Sequence, residues 1–128
     1  MNKEFVPYAQ ALALKELGFD ESCIATIDQT EYLHIKGTKN HPRGSMMYDT
    51  IDCPLYQQAF RWFREKYGFK SWIQEHTNDT FIYEIRPHVL SHYKEGEIYV
   101  YTTYEEAELA CLKKLIEIVK NEKENILR

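Results

Sequence analysis

The chain reads as an α+β protein: an antiparallel meandering sheet with helices on one face, in the order α-βββ-α-βββ-α. Three segments carry apolar residues at the helical period of about 3.6, and each opens on a tyrosine. Between them the period falls to about 2, and the turns joining these stretches are too short for a parallel crossover. The length of 128 residues, 44% of them apolar, suits one compact domain with one hydrophobic core, here taken as 1–128.

The helix starts are Tyr8-Ala9-Gln10-Ala11, Tyr56-Gln57-Gln58-Ala59 and Tyr104-Glu105-Glu106-Ala107, with the tyrosines spaced 48 and again 48 residues apart. One reading is an internal duplication with quasi-repeats 5–53 and 54–102, followed by a C-terminal helix over 103–123. The other is shared helix-start chemistry, since Pro7 and Pro54 suit a first turn. The first two helices end in Leu17-Gly18-Phe19 and Tyr67-Gly68-Phe69, where glycine supplies the left-handed residue past a helix end. Thr103-Tyr104-Glu105-Glu106 is a capping box, which sets the third boundary.

Strands are expected at Cys23 to Asp28 and Glu31 to Lys36 around the turn Asp28-Gln29-Thr30-Glu31. A second hairpin is expected from Phe69 to Thr77 and Thr80 to Pro87 around Asn78-Asp79. Short strands at Met46 to Asp52 and Glu97 to Thr102 lead into the second and third helices. On the second helix Tyr56, Ala59, Phe60, Phe63 and Tyr67 form one apolar stripe facing the core. The third helix is apolar on two adjacent lines, Leu109, Leu112, Ile116, Val119 and Cys111, Leu115, Ile118, which places it centrally or at a dimer interface. Beyond Lys120 the polar run 121–125 reads as a projecting or frayed end.

Sixteen Lys and Arg against twenty Asp and Glu give a net charge of −4, which argues against broad charge-driven binding of nucleic acid. The N-terminus lacks the basic end and apolar run of a signal peptide, and no stretch approaches the roughly 20 apolar residues of a membrane span. A cytoplasmic protein is therefore expected. Cys23, Cys53 and Cys111 are odd in number and widely spaced, so buried thiols are expected rather than a disulfide framework or a zinc knuckle. No nucleophile elbow, phosphate-binding loop, dinucleotide fingerprint or zinc-protease motif is present, so no catalytic residue, cofactor or metal site is assigned. His88 and His92 flank a strand exit, where their rings need not converge, and nothing local gathers His41, Asp49 and Asp52 into a hydrolase cluster.

Two surfaces stand out as binding candidates. Alternation that turns Leu33 and Ile35 inward sends Tyr32 and His34 to the other face of the sheet, and Trp72 shares a strand side with His76, as Tyr99 does with Tyr101. These five, Tyr32, His34, Trp72, Tyr99 and Tyr101, make a partner-interface set, in a chain with ten tyrosines. The other reading is an ordinary half-exposed sheet, since tyrosine favours strands. The loop from Gly37 to Ser45 concentrates Lys39, His41 and Arg43 among glycines. With Tyr48 and with Trp62, which stands off the apolar stripe of its helix, it forms a candidate anion- and base-binding set. For Trp62 the alternative is packing beneath the long loop or along the third helix.

The strings Phe5-Val6-Pro7-Tyr8 with 11–20, then Pro54-Leu55-Tyr56-Gln57-Gln58-Ala59-Phe60-Arg61-Trp62-Phe63 and onward to Gly68, then Thr103 to Leu115, resemble a group of small phage and prophage proteins of gut bacteria. The resemblance covers the three helices, about half the chain, and implies a setting rather than a mechanism: a phage accessory protein in the infected host cell. Such a protein would act by binding. The first expectation is a sponge that sequesters a host nucleotide immune signal. The second is a protein-binding inhibitor or virion-associated adaptor using the tyrosine-rich face or the third helix, and a symmetric oligomer fits either.

Overall fold

The computed structural model describes residues 2–37, 49–87 and 99–126. The chain is α+β; among the described residues there are three α-helices and two antiparallel sheets: α1 (Tyr8–Glu16), β1 (Ala25–Ile27), β2 (Leu33–Ile35), β3 (Ile51–Cys53), α2 (Tyr56–Tyr67), β4 (Lys70–Glu75), β5 (Phe81–Arg86) and α3 (Tyr104–Ile126). Each α-helix begins at the tyrosine that marks it in the sequence. Two compact units, Met1–Gln58 and Ala59–Arg128, divide within α2.

In the first unit, Pro7 precedes α1 and offers no side-chain cap. The Glu31 carboxylate takes that role from across the hairpin, accepting the Tyr8 N–H at 3.2 Å on each oxygen. Gly18, at φ 102°, ends the helix, and the Phe19 N–H reaches back to the Leu14 carbonyl at 2.9 Å. The β1–β2 turn is organised by Asp28, whose Oδ1 accepts the N–H groups of Thr30 and Tyr32 at 2.8 and 3.3 Å and the Thr30 hydroxyl. Those bonds, the hydroxyl first, hold the Asp28 carboxyl below its ordinary range and account for its burial.

Strand β1 is central in the order β2-β1-β3, pairing Ala25 with Ile35 on one side and with Cys53 on the other. A meander would have put β3 beside β2. The closer partner for β3 is β1 because Ala25, Ile27 and Cys53 then share one face, and all three are buried, as are Ala11 and Leu14 of α1. The Cys53 thiol donates to the Val6 carbonyl at 3.0 Å.

In the second unit, β4 and β5 form a hairpin in the register Lys70↔Arg86 to Glu75↔Phe81. Asn78 and Asp79 both take positive φ, 57° and 58°, as a type I′ turn requires, and the Thr80 N–H closes on the Thr77 carbonyl at 3.3 Å. Of the expected strand from Glu97 to Thr102, Glu97 and Ile98 lie outside the described residues, and Tyr101 forms an antiparallel bridge with Phe81. The first quasi-repeat therefore pairs its third segment with its first strand, and the second pairs its third segment with its second strand. Among the described residues the helix starts keep the 48-residue spacing, while these two strand pairings differ.

Helix α3 is capped as expected, with the Glu106 N–H donating to Thr103 Oγ1 at 3.1 Å. The Glu106 carboxylate accepts from the Thr102 hydroxyl at 3.0 Å. Ala107, Cys111, Leu115 and Ile118 are fully buried along one line, with Leu112 and Val119 beside them, while Leu109 and Ile116 are half-buried. The helix continues through Ile126, so the run 121–125, expected as a projecting or frayed end, is helical.

On α2 the buried arc is displaced from the expected stripe. Tyr56, Ala59, Trp62 and Phe63 are buried, whereas Phe60 and Tyr67 are half-buried. At 100° per residue, the helix is turned by roughly 50° toward the Ala59 side. Ala59 and Trp62 therefore lie within the buried arc.

The three thiols are free and buried. Burial pushes Cys23 to about 11 and Cys53 and Cys111 to about 12, so they stay protonated and unreactive at neutral pH. No helix among the described residues is long and apolar enough to cross a membrane.

Candidate functional site

Among the described residues of the second unit, aromatic side chains gather where Tyr101, the start of α3 and the β4–β5 hairpin come together. The register gives that sheet two faces. Ser71, Ile73, Tyr83, Ile85 and Phe81 share the face turned to α3, as shown by the hydrogen bond between Ser71 and the Cys111 thiol. Lys70, Trp72, Gln74, Ile82, Glu84 and Arg86 share the other.

Tyr101 pairs with Phe81 through two backbone hydrogen bonds of 2.8 Å, which sets it on the α3 side. Its ring lies 6.3 Å from that of Tyr83, and the Tyr104 ring meets Phe81 edge-on at 6.0 Å. Tyr104, at the edge of this cluster, is 46% exposed, and Tyr99 and Val100, which precede Tyr101 in sequence, are 58% and 46% exposed. Three large apolar residues exposed within six positions of sequence exceed the scattered single exposures of an ordinary surface.

The chain matches no family model, no curated protein and no solved structure.

Glu108, one turn along α3 from Tyr104, borders this cluster. Partial burial, reinforced by the like charge of Glu105, raises its carboxyl from 4.5 to about 7. Burial likewise raises the Tyr101 and Tyr104 phenols, with Glu108 adding to the effect on Tyr104. Because the folded-state value lies above the unfolded one, the unfolded chain releases the Glu108 proton first. Its contribution to stability is present in full below about 4.5 and is lost as pH rises to about 7. In urea titrations across that window, Glu108→Gln is therefore expected to pull progressively ahead of the wild type, with a constant margin above it. Parallel curves at every pH would show that Glu108 is solvated in the folded chain.

The expected interface set is distributed. Tyr32 and His34 belong to the first unit, where His34 pairs with Thr26 and Tyr32 is exposed at the hairpin. Trp72, 44% exposed, lies on the face of the β4–β5 sheet opposite Tyr101, with its indole N–H donating to Gln74 Oε1 at 3.3 Å. Within the second unit, then, Trp72 and Tyr101 do not share a surface, whereas Tyr99 and Tyr101 flank Val100 in one segment. Sequence reasoning missed Tyr104 and Val100. Tyr104 was absorbed by its role as a helix start, and only the Tyr101–Phe81 bridge reveals that it joins a cluster.

Of the expected ligand-binding set, Lys39, His41, Arg43 and Tyr48 lie outside the described residues. Trp62 is described and is a core residue, 5% exposed, edge-on to Phe63 at 5.0 Å and to Tyr67 at 5.4 Å, with the Lys66 ammonium 5.2 Å from its ring centre. The expectation of an outward aromatic for stacking is corrected, because the turned α2 carries Trp62 into the apolar interior.

Proposed function

We propose that this chain acts by binding a protein partner, as a phage accessory protein of the inhibitor or adaptor kind, and that the partner docks on the Tyr99–Val100–Tyr104 surface. The observation that carries the reading is the exposure of those three side chains within six positions of the chain, with Tyr104 packed edge-on to Phe81. Aromatic residues on a rigid support dominate protein interfaces, because they bury much area with little loss of conformational freedom. Phe81 and the α3 cap supply such a support here. Sequestration of a nucleotide signal is the weaker reading, since Trp62, the member of its stacking set that is described, is buried.

A photo-crosslinking residue at Val100, with a control at exposed Lys15, tests this in a lysate of gut bacteria. A protein adduct is expected at position 100 and not at 15, weakened about tenfold or more by Tyr104→Ser. Equal adducts at both positions, or insensitivity to Tyr104→Ser, would remove this surface from consideration. Native mass spectrometry with mixed cyclic and linear nucleotides covers the other mode: a stoichiometric adduct released intact would replace the protein-partner reading with sequestration.

A further inference from the structure

The first unit holds a cleft of about 300 Å³ lined by Lys3, Phe5, Val6, Pro7, Ile27, Glu31 and Leu33. That volume is at the small end of ligand sites, which span roughly 300–1,000 Å³, and suits a single amino acid better than a nucleotide. Its walls are apolar apart from one cation and one carboxylate. Lys3 and Glu31 form no ion pair with each other or with any other described residue. Each Glu31 oxygen accepts one hydrogen bond, from the Tyr8 N–H, and a carboxylate offers about four acceptor positions in all. The bond to Tyr8 also anchors the carboxylate at the α1 N-terminus, so its direction is set before any ligand arrives.

The chemistry of the rim narrows the occupant. A simple anion would be drawn to Lys3 and repelled by Glu31, and a simple amine would meet the reverse. A zwitterion with an apolar body satisfies both charges and the apolar wall together. We infer that this cleft binds a free apolar α-amino acid, with its carboxylate on Lys3, its ammonium on Glu31, and its side chain against Phe5, Pro7, Ile27 and Leu33. The inference uses no residue of the second unit and is independent of the proposed protein partner.

Amide chemical shifts of the full chain, titrated with L-phenylalanine and L-leucine, test it. Saturable shifts are expected at Lys3 to Val6, Ile27, Glu31 and Leu33. Phenylalaninamide, which lacks the carboxylate, and 3-phenylpropionate, which lacks the ammonium, should each bind about tenfold or more weakly than phenylalanine. Lys3→Ala, at an exposed position that leaves the core intact, should weaken phenylalanine by a similar factor and should not weaken phenylalaninamide, whose cationic ammonium is relieved of the like charge. Shifts centred on other residues, no saturation with either amino acid at its solubility limit, or equal binding of phenylalanine and its two truncated analogues would overturn the assignment.

Discussion

Phe63→Ala is expected to cost about 3–5 kcal/mol, the range for truncating a fully buried aromatic whose surroundings relax only in part. Phe63 is 0% exposed and packs edge-on to Trp62 and beside Tyr67, at ring separations of 5.0 and 6.1 Å. The lost apolar area accounts for roughly 1.5–3 kcal/mol, and the cavity left behind supplies the rest. Against a total stability of about 5–15 kcal/mol for a domain of ordinary size, such a loss leaves a marginal protein. Thermal denaturation followed by circular dichroism should show the midpoint fall by on the order of 10–20 °C. Phe60→Ala on the same helix should cost clearly less, because Phe60 is only half-buried. Equal losses for the two would mean that the buried arc of α2 follows the sequence stripe after all.

Trp62→Ala should be about as damaging, again about 3–5 kcal/mol, and its effect should be on folding rather than on any one ligand. The indole is buried, contacts two aromatic rings and carries the Lys66 ammonium over its face. Trp62 and Phe63 touch, so the double variant should lose less than the two single losses added together. Urea unfolding of the two single variants and the double variant measures this coupling. A Trp62→Ala chain with wild-type stability and altered ligand binding would return this residue to the candidate nucleotide set.

Local chemistry was legible wherever it depends on neighbours in sequence. The helix starts at Tyr8, Tyr56 and Tyr104, the Thr103 cap, the left-handed Gly18 and Gly68, and the Asn78-Asp79 turn all follow from backbone preferences within a few residues. The burial of Cys23, Cys53 and Cys111 as thiols followed from their number and spacing. The candidate site was only partly legible. Tyr99 and Tyr101 were singled out, but Tyr104 joins them through a strand bridge to Phe81 formed across some twenty residues, which no local pattern encodes.

By itself, the sequence determined the α+β class, the three helices with their starts, and the two hairpins, because propensity, capping and periodicity are short-range effects. Tertiary structure alone decided three things. Strand β3 pairs with β1 rather than β2, since strand partners are chosen by which register buries one common apolar face. Helix α2 turns Trp62 inward, since the rotation of a helix against its surroundings is set by packing that its own helical wheel does not contain. Lys3, Glu31 and the apolar residues between them line one cleft because the β1–β2 hairpin brings Glu31 to the start of α1, a juxtaposition set by long-range packing.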